Sequence, residues 1–207
     1  MKRSVETPAD KRERILAAIN AAAIEVFARE GLSGASTQAI AERAGLSKQS
    51  LHYYIPSKEA LYGQVLRDVM ADWIRVFGAA DSRLGPREVL GSYIRRKMQF
   101  SFEQPLRSRI FAMEIMRGAP VLRPLLRTGK RHTREALAVI QGWIADGRME
   151  PVDPLLLLFH IWAATQFYAE HAEQVRYFTG RRSLSPAARE AIIRQTTELV
   201  LRGIGAR

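Results

Sequence analysis

The sequence predicts an all-α protein, and three observations carry that expectation. Apolar residues recur at three- and four-residue spacing through most of the chain, no stretch alternates as a half-buried strand would, and Gly or Pro punctuates the periodic segments at helix-sized intervals. The pattern predicts about nine helices. They divide into a short three-helix N-terminal domain over 1–58 and a larger helical domain over 59–207.

Each element has its own local reason. From Arg14 to Arg29, Ile15, Ile19, Ala22, Ala23, Val26 and Phe27 form one stripe, and Gly31 suits a left-handed cap. Ser36 or Thr37 opens a short second helix through Ile40 and Ala41, closed by Gly45. Ser47 opens a third carrying Leu51 and Tyr54, and Pro56 stops it because the residue before proline avoids helical dihedrals. Ser57 caps a longer fourth helix bearing Leu61, Val65, Leu66, Val69, Trp73 and Phe77. Gly85-Pro86 starts a fifth, which ends near Gln104-Pro105, and a shorter one runs from Leu106 to Arg117. Pro120 to Asp146 reads as a long helix whose start is blurred by two prolines. Asp153-Pro154 and Ser185-Pro186 each place a capping side chain before a first-turn proline. They open helices expected to reach Phe178 and the C-terminal region respectively.

Composition narrows the function. A chain of 207 residues with 47% hydrophobic and 26% charged residues suits a globular protein with one or two cores. No apolar run is long enough to span a membrane, and the N-terminal segment lacks the apolar core of a signal peptide, so a cytoplasmic, nucleoid-associated protein is expected. The absence of cysteine excludes disulfides, thiolate metal sites and a cysteine nucleophile. Catalysis is not expected: no nucleophile elbow or phosphate-cradling glycine loop is present. His160 and His171, on nearly one helix face, would stand about 16 Å apart, too far to share a metal. No cofactor or metal is implied.

The net charge of +11 is unevenly distributed. Residues 1–60 hold nine Lys/Arg against seven acids, whereas 95–134 hold eleven against two, Glu103 and Glu114. This basic cluster suits solvated helix faces, long-range attraction to a polyanion, or an acidic ligand if Arg95, Arg109 or Arg117 points inward.

The second and third helices, separated by a GLS turn and preceded by a covering helix, have the proportions of a helix-turn-helix over roughly 37–55. Gly45 permits the turn, Ala41 lets the helices cross closely, and Ile40, Leu46 and Leu51 are placed to form their shared core. Ser47, Lys48, Gln49, Ser50, His52 and Tyr53 are left to face outward. Lys48 and Gln49 lie in the first turn, the part that reaches base edges; Gln pairs with adenine and Lys donates to guanine. Thr37 at a helix start can bind a phosphate through its hydroxyl and backbone N–H.

The segment GLSGASTQAIAERAGLSKQSLHYYIPSKEALYGQVL, 31–66, closely resembles the DNA-binding segment of the TetR family of repressors. Ser36-Thr37, Ile40-Ala41, Ala44 to Ser47, Leu51 to Tyr54 and Ser57 to Leu61 carry the likeness. The resemblance implies DNA contacts at Ser36, Thr37, Gln38, Ser47, Lys48, Gln49, Ser50, His52, Tyr53, Tyr54 and Lys58, with Thr37, Tyr54 and Lys58 on the phosphate backbone. His52 departs from the aromatic or aliphatic residue usual there. A homodimer joined through 154–178 and 186–204, a partly palindromic operator and an effector site in the C-terminal domain are also implied.

The strings SRIFAMEIMRGAPVL (108–122), IQGWIADGRMEPVDP (140–154) and FHIWAATQFYAEHAEQV (159–175) resemble one branch of that family, which contains a pyrimidine-utilisation repressor responsive to uracil and thymine. A small, planar, uncharged effector is implied. Trp162 and Gln166, four apart, share a helix face and would offer a flat wall and an amide that both donates and accepts. Trp73, Phe77, Phe111 and Met113 or Met116 would supply apolar walls; each also reads as ordinary core. An acidic or acyl-type effector, or an architectural protein binding DNA without sequence preference, are the alternatives.

Overall fold

A computed structural model describes residues 7–78 and 84–206, except for the side chains of 75–78 and 128. Among the described residues there are ten helices and no strand. They are α1 (Pro8–Gly34), α2 (Thr37–Arg43), α3 (Lys48–Tyr54), α4 (Lys58–Gly78), α5 (Pro86–Glu103), α6 (Pro105–Met116), α7 (Arg123–Ala145), α8 (Pro154–Glu170), α9 (Ala172–Thr179) and α10 (Pro186–Gly203). None is long and apolar enough to cross a membrane.

Several helix ends depart from the expectation: α1 runs past the cap expected at Gly31 to Gly34, kinked at Gly31, α7 begins at Arg123 and not at Pro120, and two further ends have clear local reasons. α1 begins at Pro8 rather than Arg14, because Thr7 accepts from the Asp10 N–H while the Asp10 carboxylate accepts from the Thr7 N–H. Proline at the first position needs no N–H partner there. The helix expected to run to Phe178 instead breaks at His171, whose dihedrals leave the helical region, giving α8 and α9. The His171 N–H still reaches Phe167 O at 2.8 Å, and its ring stacks on Phe167 with centroids 4.7 Å apart. No glycine or proline marks this break, so the apolar periodicity ran through it unseen.

The other expected ends appear where local chemistry puts them. Ser36, Ser47, Asp153 and Ser185 cap α2, α3, α8 and α10 through their side-chain oxygens. The chain forms two compact units. The first comprises 1–68 and 110–122; the second comprises 69–109 and 123–207. The first therefore extends past the boundary expected at 58 and includes most of α6, while α4 and α6 each contribute to both units.

In the first unit, α2 packs on α1 and α3. Phe27, Ile40, Ala41, Leu51, Val65 and Leu66 have no exposed surface, and Tyr62 meets Phe27 edge to face at 4.9 Å. In the second unit α5 packs on α8 and α10. Leu90, Ile94, Met98, Ile140, Leu158, Ile161, Ile193 and Leu201 form its centre.

Gly45 joins α2 to α3 at φ +70°, a conformation that costs a side-chain-bearing residue about 1–2 kcal/mol. A methyl group there would meet no atom within 4 Å, so the cost is conformational alone. Gly45→Ala should therefore lower unfolding free energy by about 1–2 kcal/mol in urea titrations, with the helical content unchanged.

Candidate DNA interface and effector site

Leu51 is fully buried, and around it Lys48, Gln49, Ser50, His52 and Tyr53 all lie on the exposed surface of α3. Tyr53 is 77% exposed, with its ring at right angles to that of Tyr54. The apolar anchor and the outward polar face are the two requirements of a groove-entering helix.

Several of the expected contact residues also hold the motif together. Ser36 and Ser47 are helix caps, and the Ser47 hydroxyl lies 2.8 Å from that of Ser50. Gln38 donates to Glu42 along exposed α2 at 2.7 Å. Thr37 is half-buried at the head of that helix. Lys58 is half-buried and donates to the Ala35 carbonyl at 2.7 Å, tying α4 to the α1–α2 connection. Sequence reasoning missed Arg12, whose guanidinium lies 5.8 Å from the centre of the half-buried Tyr54 ring. The Thr7-Pro8-Ala9-Asp10 string was the signal that the first helix starts early enough to place it.

In the second unit, Trp162 and Gln166 do lie together on α8, both half-buried. Each is answered from α5 by residues at the same four-residue spacing. Trp162 Nε1 donates to Tyr93 Oη at 2.7 Å, and Lys97 Nζ donates to Gln166 Oε1 at 3.0 Å. Gln166 Nε2 in turn donates to Glu170 Oε1 at 2.7 Å, which also accepts from the Ser108 hydroxyl at 3.3 Å. Lys97 Nζ sits 4.1 Å from the centre of the Trp73 ring. Trp73 meets Phe100 edge to face at 6.2 Å. Phe100 also lines an open cleft of about 550 Å³ together with Asp72, Arg96, Gln99, Glu103, Gln104 and Arg107.

Lys97 is the residue that changes the reading of this site. It is 3% exposed, and its amine is pushed down to about 7 by burial, a shift partly opposed by the Glu170 carboxylate. Burial likewise raises the Tyr93 hydroxyl above its usual range. Counting Lys97 within a basic surface run hid its position between the core residues Ile94 and Met98, one helical turn from Tyr93.

The remaining expectations separate. Phe77 lies outside the residues whose side chains are described. Phe111 and Met113 are half-buried in the 110–122 segment of the first unit, with the Met113 methyl 3.4 Å from the position a Cβ on Gly31 would take. They therefore belong to a different compact unit from Trp162 and Gln166. Arg95 pairs with exposed Glu190 at 2.7 Å and Arg117 donates to Ser33, so neither is directed at the Lys97 cluster. Arg109 is half-buried. Arg123, Arg127, Lys130, Arg131 and Arg134 are all exposed along α7, which makes five of the eleven basic residues part of a solvated helix face.

Comparison with known proteins decides the family. Residues 19–65 match the model for bacterial regulatory proteins of the tetR family, and 66–207 match that for the C-terminal region of YcdC-like proteins. The chain is 41% identical over 198 residues to the HTH-type transcriptional regulator RutR of Escherichia coli K12, covering 93% of this chain and 91% of that protein. The chain belongs to the TetR family. It is a ligand-responsive, DNA-binding transcription regulator.

The fold agrees with solved structures. A tetR-family regulator from Rhodococcus RHA1 superposes with a TM-score of 0.75 at 22% identity, over 93% of this chain and 98% of that one. The transcriptional regulator SCO4942 of Streptomyces coelicolor superposes with a TM-score of 0.71 at 24% identity, over 93% and 99%.

Burial of Lys97 has a measurable pH signature. The unfolded chain returns the amine toward 10.5, whereas the folded protein holds it at about 7. Between those values the unfolded state binds the extra proton, so stability should rise with pH across this window, and the destabilisation should be fully present below pH 7. The slope should reach at most about 1.4 kcal/mol per pH unit. Urea unfolding of wild type and Lys97→Met between pH 6 and 10 checks this: the slope should vanish in the variant.

Proposed function

We propose that this protein is a repressor that reads a palindromic operator as a homodimer and releases it on binding a small, neutral, planar effector of the pyrimidine type. Lys48 and Gln49 reach base edges from the first turn of α3, with Ser50, His52 and Tyr53 beside them in the major groove. Thr37 and Tyr54 contact phosphates, supported by Ser36, Gln38 and Ser47 at the two helix starts. Lys58 has three donors and spends one on Ala35, which leaves two for the DNA backbone. Such a protein works in the cytoplasm, at the nucleoid.

Dimerisation through α8 to α10 is supported by an apolar surface that one chain leaves exposed. Leu155, Phe159 and Phe167 form a line along α8, with Leu156 beside them. Leu199 of α10 is 75% exposed. A symmetric four-helix contact would bury both faces, and two-fold symmetry would set the spacing of two α3 helices.

The observation that carries the effector reading is the Lys97–Gln166–Glu170 triad against the Trp73 ring. Charged, the Lys97 amine is already matched by the Glu170 carboxylate, and neutral it offers no charge, so in either state an additional anion would face Glu170 without a free counter-charge. An imide edge carrying C=O and N–H groups matches the triad instead: its carbonyl accepts from Lys97 or Gln166 and its N–H donates to Glu170. Trp73 and Trp162 supply flat walls for the ring. The identity shared with RutR supports the same branch of the family.

Operator titrations test both halves. Uracil or thymine should weaken operator binding by about 5- to 150-fold, the usual range of allosteric coupling, while a dicarboxylate should leave it unchanged. A response to the dicarboxylate alone would reverse the effector assignment. Gln49→Ala should cost about 1–3 kcal/mol on the operator and nothing on random DNA. Equal loss on both would remove Gln49 from base reading.

A further inference from the structure

The DNA-reading unit sorts its charges. Arg29 pairs with Glu30 at 2.6 Å, and Arg43 pairs with Glu25. The Asp10 carboxylate accepts from the Thr7 N–H in the α1 cap, and Glu42 accepts from Gln38. Among the described residues, Lys48, Lys58 and Arg12 meet no carboxylate; Lys58 donates to the Ala35 carbonyl, and Arg12 lies over the Tyr54 ring. The near-balance of charge over 1–60 therefore hides a pattern. Cations without a carboxylate partner stand at both ends of α3, Lys48 as its first residue and Arg12 over Tyr54, its last.

Two helices build the Arg12 contact. The Thr7–Asp10 cap starts α1 early enough to put Arg12 in its second turn, with the guanidinium 5.8 Å from the centre of the Tyr54 ring. Tyr54 is half-buried, and the Tyr53 ring meets it at right angles with centroids 5.2 Å apart, so the face that Arg12 covers is held in place. A ring face attracts the guanidinium charge but offers no lone pair to its N–H groups, so the contact fixes Arg12 without engaging its fork of donors. Arg12 is exposed, and that planar fork matches two oxygens of a phosphodiester.

We propose that Arg12, held by the Tyr54 ring, binds a phosphodiester of the DNA backbone at the C-terminal end of α3, beyond those reached by Thr37 and Lys58. The proposal rests on the reading of α3 as the groove-entering helix. A backbone contact carries no sequence information, so the clamp adds equally to operator and random DNA. A surface cation–ring contact kept only for stability would leave Arg12 equally solvated in free and bound protein and would displace no counterion from DNA.

The salt dependence of binding to a random-sequence duplex, and to operator beside it, separates these roles. Arg12→Ala should lower the slope of log affinity against log salt by about 0.9 per chain bound on both duplexes. Its loss of affinity should be about eightfold per chain near 0.1 M salt and fade toward 1 M. Arg12→Gln, which keeps a polar stem without the charge, should repeat the change in slope, whereas Arg12→Lys should retain the wild-type slope. A wild-type slope in Arg12→Ala and Arg12→Gln, or a loss confined to operator, would overturn the proposal.

A Tyr54→Leu background tests the part played by the ring. There the loss on adding Arg12→Ala should shrink to about twofold or less, because the guanidinium is no longer held. An undiminished loss would contradict the clamp. Lys48→Ala, at the other end of α3, tells the two readings apart. Binding unaffected by Lys48→Ala and Gln49→Ala would remove the groove-entering reading of α3 and the clamp with it. Binding weakened by both, with the slope unmoved in Arg12→Ala, would remove the clamp alone.

Discussion

A primary amine inside an all-helical core must be met by polar partners or it prevents the core from closing. In the second unit of this protein, α5 and α8 are paired around that requirement. Tyr93 and Lys97 on one helix face Trp162 and Gln166 on the other, at the same four-residue spacing, and Glu170 and Ser108 complete the set. The arrangement satisfies each head group while the surrounding Ile94, Met98 and Ile161 exclude water. A stable core would be built more simply from apolar residues, since buried charge pairs seldom gain over them. Keeping a desolvated lysine against the Trp73 ring is therefore better understood as a feature of recognition than of stability.

The DNA-reading unit solves the opposite problem. It must present polar and aromatic groups on its surface while holding them rigidly. Leu51 anchors α3 from below, serine caps fix both short helices, and Gly45 sets their crossing. None of these depends on net charge, which is nearly balanced in 1–60. The positive excess lies instead in 95–134, where the exposed arginines and lysine of α7 add to the general field of the molecule.

Most of the helix boundaries were legible because glycine, proline and capping residues leave local marks in sequence. The α8–α9 break was not, because His171 leaves the helix through its own dihedrals and a stacking contact with Phe167 that no turn residue announces. Trp162 and Gln166 were found by spacing, since four residues bring two side chains onto one face. Their partners were hidden for a different reason: Tyr93 and Lys97 are distant in sequence and meet α8 only through tertiary packing. Lys97 was further masked by Arg95 and Arg96 beside it, one of which pairs outward with Glu190. Glu114 is one of two acids in a basic run, and only its burial and the Val121, Leu122 and Tyr62 donors around it reveal what it holds.

The central claim is that Lys97 is a desolvated amine that an effector engages directly. The ¹³Cε resonance of Lys97, assigned by its loss in a Lys97→Met variant, reports the titration of that amine. The account predicts a midpoint near the low value that burial imposes, about 7, in the free dimer. It also predicts an upward displacement when uracil places a carbonyl oxygen on Nζ, because an acceptor favours the charged form. A midpoint at the ordinary 10.5 of an exposed lysine, unmoved by uracil, would contradict it.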